Sequence, residues 1–262
     1  MPATSDLDIL AIAAHRDDVE QTCGGALLKM AQRGQRTGIL DLTQGEMGTR
    51  GTAEDRAREA SDAARILGVS WRRALDIPDG RVENTWENRL KVASVIRETR
   101  PRVVILPYWK GRHPDHYTCS VVGYEACFLA GLSKLALSSE PSAISQTSSG
   151  GADGVDRKES LPPHRPFKII YATLYYDVRP TFVVDISQQF EQKFASILAY
   201  KSQFSDQDAG KDLFPAHNEI YARVESMARY YGALGGVTYA EPFLQKEVGL
   251  VEDLLAIPVK SI

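Results

Sequence analysis

Apolar positions in this chain come in short runs separated by longer amphipathic stretches. Leu7 to Ala14 is a short apolar run broken by Asp8, and the following AHRDDVEQTCGGALLKMAQRG carries apolar residues at helical spacing until Gly34. The pattern predicts a buried strand, a loop and a helix stopped by glycine. It recurs: Arg36 to Thr43 reads as a second strand, Thr52 to Leu67 as a helix ending before Gly68, and Arg73 to Ile77 as a third strand. Trp86 to Thr99 is helical, Pro101 terminates it, and the VVILP run Val103 to Pro107 suits a strand buried on both faces. Tyr117 to Leu137 reads as a further helix, Lys168 to Tyr176 and Thr181 to Asp185 as strands, and Gln188 to Gln203 and Asn218 to Leu234 as helices.

Strand and helix in alternation specify an α/β fold: a Rossmann-like, mainly parallel sheet with helices on both faces. Ligands bind such sheets at the carboxyl ends of their strands, so the chemistry is expected after Ala14, Thr43 and Pro107. Between Ser138 and His164 the chain is rich in Ser, Gly and Pro and poor in apolar residues, which predicts a mobile surface loop, either a lid or a passive insertion.

Composition narrows the function. With 262 residues, 43% hydrophobic and 25% charged, the chain reads as one ordinary globular domain without internal repeats. Its 31 basic and 34 acidic side chains are dispersed, so no electrostatic footprint for nucleic acid exists and a small-molecule substrate is expected. The first residues carry no signal-peptide pattern, and no apolar run approaches the roughly 20 residues of a membrane helix, so cytoplasm is the expected compartment. Cys23, Cys119 and Cys127 lack a CxxC spacing, which argues against a disulfide framework or a thiolate zinc site.

Two short segments carry the candidate chemistry: His15, Arg16, Asp17, Asp18, Val19, Glu20 after the first strand, and His113, Pro114, Asp115, His116 after VVILP. Imidazole nitrogens and carboxylate oxygens are good zinc donors, and catalytic zinc keeps three protein ligands with one position open. Either histidine alone fits a hydrogen-bonded structural residue. Their joint placement at two strand ends favours a metal site.

AHRDDVE resembles the AHPDDxE motif of the LmbE-like, phosphatidylinositol-glycan class L family of N-acetylglucosamine deacetylases, and GRHPDH resembles that family's second metal motif. QGEMGTRGT, LDIPDGRV, AYKSQF and ARYYGALGGVTYAEPF are similar to the bacterial branch that deacetylates N-acetylglucosaminyl-malate in bacillithiol biosynthesis. The resemblance implies a zinc-dependent amide hydrolase in which His15, Asp18 and His116 hold the metal. It implies that Asp17 is the general base and that His113, held by Asp115 and protonated, faces the oxyanion. Arg50 is the leading candidate for gripping an acidic aglycone, with Glu46, Arg112 and Lys201 as further substrate contacts. Glu20 reads as structural, either an early-helix acid or a partner of a ligand, His217 as a candidate substrate contact and His164 as a loop residue. Tyr230, Tyr231 and Tyr239 read as core or subunit-interface residues.

Iron, cobalt or manganese would suit the same ligands, and relatives suggest a homo-oligomer, a hexamer in particular. Other N-acetylglucosamine conjugates, among them inositol conjugates and chitooligosaccharides, are alternative substrates, and a non-catalytic sugar-binding protein is the alternative class. A nucleotide-binding Rossmann protein is excluded because no GxGxxG follows the first strand. Arg16 stands where the family usually carries proline, which frees the backbone and adds a donor.

Overall fold

A computed structural model describes residues 6–138, 160–174, 178–205 and 217–259. The loop expected from Ser138 to His164 lies outside the described residues over 139–159.

One seven-stranded sheet organises the chain in the order β3-β2-β1-β4-β5-β7-β6. Strands β1 (Ile9–Ala13), β2 (Thr37–Asp41), β3 (Trp71–Ala74), β4 (Val103–Pro107) and β5 (Lys168–Ala172) run parallel. The expected α/β architecture is therefore present. The strand order reverses between β1 and β4, which is where such a sheet opens a crevice at its carboxyl ends.

Alternate β1 residues explain the two-sided covering. Leu10 and Ile12 join a core built with α4 (Trp86–Thr99) and α5 (Pro114–Ala130). Ala11 and Ala13 point the other way, packing with Val19 of α1 (Asp18–Thr22) and Ala26 and Leu27 of α2 (Gly24–Gln32). The period of two along a strand sends successive side chains to opposite faces, so a run apolar at every position needs helices on both. Helix α3 (Ala53–Ile66) begins with a capping box in which Thr52 and Asp55 satisfy each other's backbone N–H groups.

Two features differ from the sequence expectations. The stretch Gln188 to Gln203 breaks into α6 (Phe190–Leu198) and α7 (Lys201–Phe204), and the C-terminal third adds a strand, β7 (Ala240–Leu244), antiparallel between β5 and β6 (Phe182–Asp185). Pro242 conceals this strand, because proline cannot donate to a ladder on both sides. The β5–β7 pairing consists of Tyr171↔Leu244 and Ala172↔Phe243, so Pro242 lies past its end.

Strand β7 also supplies the N-terminal cap of α2. Buried Glu241 accepts from the backbone N–H of Gly25 at 2.8 Å and of Ala26 at 2.7 Å, and it pairs with Lys193 of α6 at 2.6 Å. A carboxylate there satisfies orphan donors and complements the helix dipole. Gly25 gives this carboxylate room: a Cβ would stand 3.0 Å from the Glu241 carboxylate and from Ile186, whose side chains would have to shift. The long helix α8 (His217–Gly235) closes against β6 and β7, burying Tyr231 while Tyr230 stays half-exposed. Among the described residues no helix is long and apolar enough to cross a membrane.

Candidate active site

The loop after β1 turns sharply into α1. Asp17, at the N-cap of α1, has φ 102°, a left-handed conformation that a non-glycine residue adopts only when its surroundings impose it. Arg56 of α3 is the imposing group. Its guanidinium donates to the Arg16 carbonyl and, at 3.1 Å, to Asp17 Oδ1. Arg16 itself turns inward, donating from Nη1 to the Ala53 carbonyl at 2.7 Å, which ties this loop to the start of α3. The arginine that replaces the family's proline is therefore an internal brace.

Next to Asp17, donor atoms from β1's loop and α5 converge. His15 Nδ1 lies 3.2 Å from His116 Nε2, His116 Nε2 lies 3.2 Å from Asp18 Oδ1, and His15 Nδ1 lies 3.5 Å from Asp18 Oδ2. A tetrahedral ion with ligands at about 2.0–2.1 Å holds its donors about 3.3–3.4 Å apart, and each of these contacts lies near that spacing, the two to Asp18 being made by different oxygens of its carboxylate. The residue types and spacing fit a divalent metal. His113 also brings a ring nitrogen within 4.8 Å of those of His15 and His116.

On the far side of the His15 ring, Nε2 meets two carboxylates, Asp79 Oδ1 at 3.1 Å and Asp115 Oδ2 at 3.2 Å. Burial alone would lower the His15 pKa, but hydrogen bonds to Asp115, Asp18 and Asp79 push it up to about 12 in the metal-free protein. A cage that holds a proton this firmly holds a metal cation for the same electrostatic reason. His116 is likewise raised against its own burial, by Asp18, and Asp18 is held well below the usual range despite its burial, by His116 and His15. Asp17 differs: burial pushes its carboxyl up to about 7, Arg56 opposes that shift and the Asp18 charge adds to it.

The expected pairing of Asp115 with His113 is corrected by this geometry. Asp115 is buried, and its carboxylate receives the backbone N–H groups of Gly80 at 2.8 Å and Val82 at 3.2 Å together with His15. His113 is instead the N-cap of α5, where its Nδ1 accepts from the Asp115 backbone N–H at 3.2 Å. An accepting Nδ1 makes the neutral ring the form this site favours, with the proton on Nε2. Burial and the neighbouring His15 and His116 lower its pKa further, so His113 offers a neutral N–H donor rather than an imidazolium.

Arg50, expected to grip an acidic aglycone, lies against α7. Its guanidinium is buried and donates to the carbonyls of Gln203 at 3.2 Å and Ser205 at 3.3 Å, and Gln203 Nε2 returns a bond to the Arg50 carbonyl at 2.7 Å. This clasp fastens the QGEMGTRGT loop to α7. Glu46 accepts from the Asp79 backbone N–H at 2.8 Å, and the Met47 N–H donates to Asp79 Oδ2 at 3.0 Å, so Glu46 ties its loop to the one after β3. Arg112 and Lys201 are exposed, the first beside His113 and the second at the start of α7. Glu20, in the first turn of α1, is fully buried between Arg72 and Tyr200 and pairs with no candidate ligand. His164 donates its Nε2–H to the Pro101 carbonyl, away from these residues, and the His217 side chain is outside the described residues.

Sequence reasoning missed Asp79 and Arg56. Asp79 lies in the LDIPDGRV segment that follows β3, a carboxylate just past a strand end like those that mark the other two loops. Arg56 carries no such signal, being one of three arginines on a helix whose exposed face is charged.

Comparison with known proteins identifies the family. A family model described as PIG-L, GlcNAc-PI de-N-acetylase, matches residues 10–127, which include both histidine segments. The diacetylchitobiose deacetylase of Thermococcus kodakarensis is 32% identical over 244 residues, covering 89% of this chain and 80% of its own. Among solved structures, the conserved protein TT1542 from Thermus thermophilus superposes with a TM-score of 0.76 at 38% identity, over 94% of this chain and 98% of that one. The N,N'-diacetylchitobiose deacetylase of Pyrococcus horikoshii, solved with an inhibitor, gives 0.72 at 25% identity, over 91% and 83% of the two chains. Sequence, fold and donor geometry lead to one conclusion: the chain belongs to the PIG-L family of de-N-acetylases, metal-dependent amidohydrolases.

Proposed function

We propose that this protein hydrolyses the N-acetyl group of a small N-acetylglucosamine conjugate, releasing acetate and a free amine, with His15, Asp18 and His116 as the metal ligands. The observation that carries the reading is the convergence of His15 Nδ1, His116 Nε2 and the two Asp18 carboxylate oxygens, with contacts of 3.2, 3.2 and 3.5 Å, beside an Asp17 carboxyl pushed up to about 7. A divalent ion such as zinc, held by these residues, would supply Lewis-acid polarisation of the acetamide carbonyl and a more acidic attacking water.

The chain's own groups do the rest. Asp17, held by Arg56, accepts a proton from the attacking water and returns it to the nitrogen as the C–N bond breaks, so the amine departs neutral. His113 donates its Nε2–H to the carbonyl oxygen as negative charge develops there. Asp79 and Asp115 orient His15 and strengthen it as a donor by accepting from its far nitrogen.

A neutral chitooligosaccharide such as N,N'-diacetylchitobiose is the substrate we favour. The diacetylchitobiose deacetylases resemble most of this chain, and Arg50, the residue expected to grip malate, is committed to backbone carbonyls. N-acetylglucosaminyl-malate is the second reading, supported by the QGEMGTRGT and LDIPDGRV segments and by exposed Arg112. Free-amine release from both compounds by zinc-loaded protein separates them, with Asp17→Asn as the control. A higher kcat/KM on the disaccharide, lost in the variant, is expected. Activity on the malate conjugate alone would reverse the substrate assignment, and full activity in Asp17→Asn would remove the base.

A further inference from the structure

Residue 16 and helix α3 hold each other through two guanidinium groups that reach in opposite directions. The Arg16 side chain is buried, and its Nη1 donates to the carbonyl of Ala53, the first residue of α3, at 2.7 Å and to that of Gln44, just past β2, at 3.4 Å. From the next turn of α3, Arg56 reaches back: its Nη2 donates to the Arg16 carbonyl and, at 3.1 Å, to Asp17 Oδ1. The Asp41 carboxylate, whose charge also acts on Arg16, is taken up by two bonds from Arg72 at 2.9 and 3.1 Å, and Arg16 bonds backbone carbonyls instead.

Arg56 is not anchored by a partner of its own. Both hydrogen bonds of its guanidinium leave from Nη2 and end on residues 16 and 17, and its Nε is buried without a partner among the described residues. Gly45 and Gly48 close around the group: a Cβ would stand 2.7 Å from Nη1 at the first and 3.3 Å at the second, and Gly45 has φ 73°. The guanidinium that keeps Asp17 at φ 102° is thus placed by how closely α3 approaches the loop after β1. Arg16 is the side chain that ties the two together.

We infer that Arg16 is a positioning residue for Asp17, acting through α3 and Arg56; the inference rests on Asp17 being the base. A proline at this place would restrain its own backbone covalently. Arginine leaves that backbone free, and the reciprocal clasp supplies the restraint from outside. A base has to stand within hydrogen-bond reach of the water it deprotonates, and a misplacement of about 1 Å costs on the order of 10²-fold in rate. Loss of the clasp therefore lowers turnover while every group that meets the metal is still present.

Steady-state kinetics of the zinc-loaded protein, read on the pH-independent plateau of each variant, test this with Arg16→Met, Arg16→Lys, Arg56→Met and the double variant Arg16→Met/Arg56→Met. Methionine keeps an apolar stem and removes the donors; lysine returns one. Arg16→Met should lower kcat about tenfold, with KM within about twofold of wild type and zinc affinity unchanged, and Arg16→Lys should recover most of that loss. If Arg16→Met does not fold, the milder Arg16→Gln takes its place. The double variant should lose no more than about threefold beyond Arg56→Met alone, because the two side chains act on Asp17 through one linkage, whereas independent effects multiply. A lower melting temperature with kcat unchanged would make Arg16 a packing residue, and multiplying losses or an Arg16→Lys as slow as Arg16→Met would equally overturn the inference. Full activity in Asp17→Asn would instead remove the base on which it rests; an inactive Asp17→Asn beside an Arg16→Met of wild-type turnover would remove the inference alone.

Discussion

The Asp79 carboxylate stands 3.1 Å from Nε2 of His15, on the side of the ring opposite the nitrogen that meets His116 and Asp18. Asp115 stands at 3.2 Å from the same atom. A ligand histidine with a carboxylate behind it is fixed in tautomer and orientation, and loss of such a partner costs about 10–100-fold in metal affinity. Asp79→Asn should therefore weaken zinc binding by roughly that factor, while kcat at saturating zinc changes much less. Chelator competition reads the first quantity directly. An unchanged affinity would leave Asp115 as the one carboxylate that matters to His15.

Proton release accompanies metal binding for the same reason. Burial opposes protonation of His15, yet Asp115, Asp18 and Asp79 raise its pKa to about 12 in the metal-free protein, and His116 is raised too. At pH 7 the His15 ring is therefore cationic without an ion, so a bound ion would displace its proton and the apparent affinity should rise with pH. Calorimetric titration in buffers of different ionisation enthalpy should show net proton release at pH 7.

Arg56 holds the base. Burial raises the Asp17 carboxyl to about 7, and the Arg56 guanidinium restrains that rise. Removing the positive charge with Arg56→Met favours the protonated acid, which is inactive as a base. The acidic limb of the kcat/KM profile should move to higher pH in the zinc enzyme. A limb that stays in place would mean that another group controls it.

His113 combines a structural task with a chemical one, and the two are separable. Asparagine is a good N-cap residue, so His113→Asn preserves the start of α5 while shortening the side chain and removing Nε2. Little change in melting temperature is expected, with a fall in kcat of about 10²–10³-fold if the ring donates to the oxyanion. A comparable loss of stability and activity would reduce His113 to a cap.

Arg50→Ala should act on stability. Each bond from its buried guanidinium to Gln203 and Ser205 is of a type that contributes about 1.5–3 kcal/mol, so urea denaturation should show a clear loss. The ratio of kcat/KM between the malate and chitobiose substrates should not change. A selective rise in KM for the malate conjugate would return Arg50 to substrate recognition.

Much of this was legible in sequence because the parallel strands are short apolar runs with helices between them, and because His15, Asp17, Asp18 and His116 follow strands β1 and β4. Strand β7 was hidden by Pro242 and by Glu241, a buried charge whose partners lie some 215 residues away at Gly25 and Ala26. Arg50 looked like a ligand contact because an arginine in a glycine-rich loop after a strand commonly is one. Its commitment to α7 depends on tertiary packing that no local pattern encodes. The same holds for Asp115, whose sequence neighbour is His113 but whose spatial partner is His15 across the switch point between β1 and β4.

Zinc titration into metal-depleted protein, followed by free-amine release from N,N'-diacetylchitobiose, bears most directly on the proposal that His15, Asp18 and His116 hold the catalytic metal. Activity should rise from baseline to a plateau at one ion per chain for the wild type, and Asp18→Asn and His116→Gln should fail to reach it at any stoichiometric concentration. Activity that is independent of added metal, or a wild-type plateau in either variant, would contradict the account.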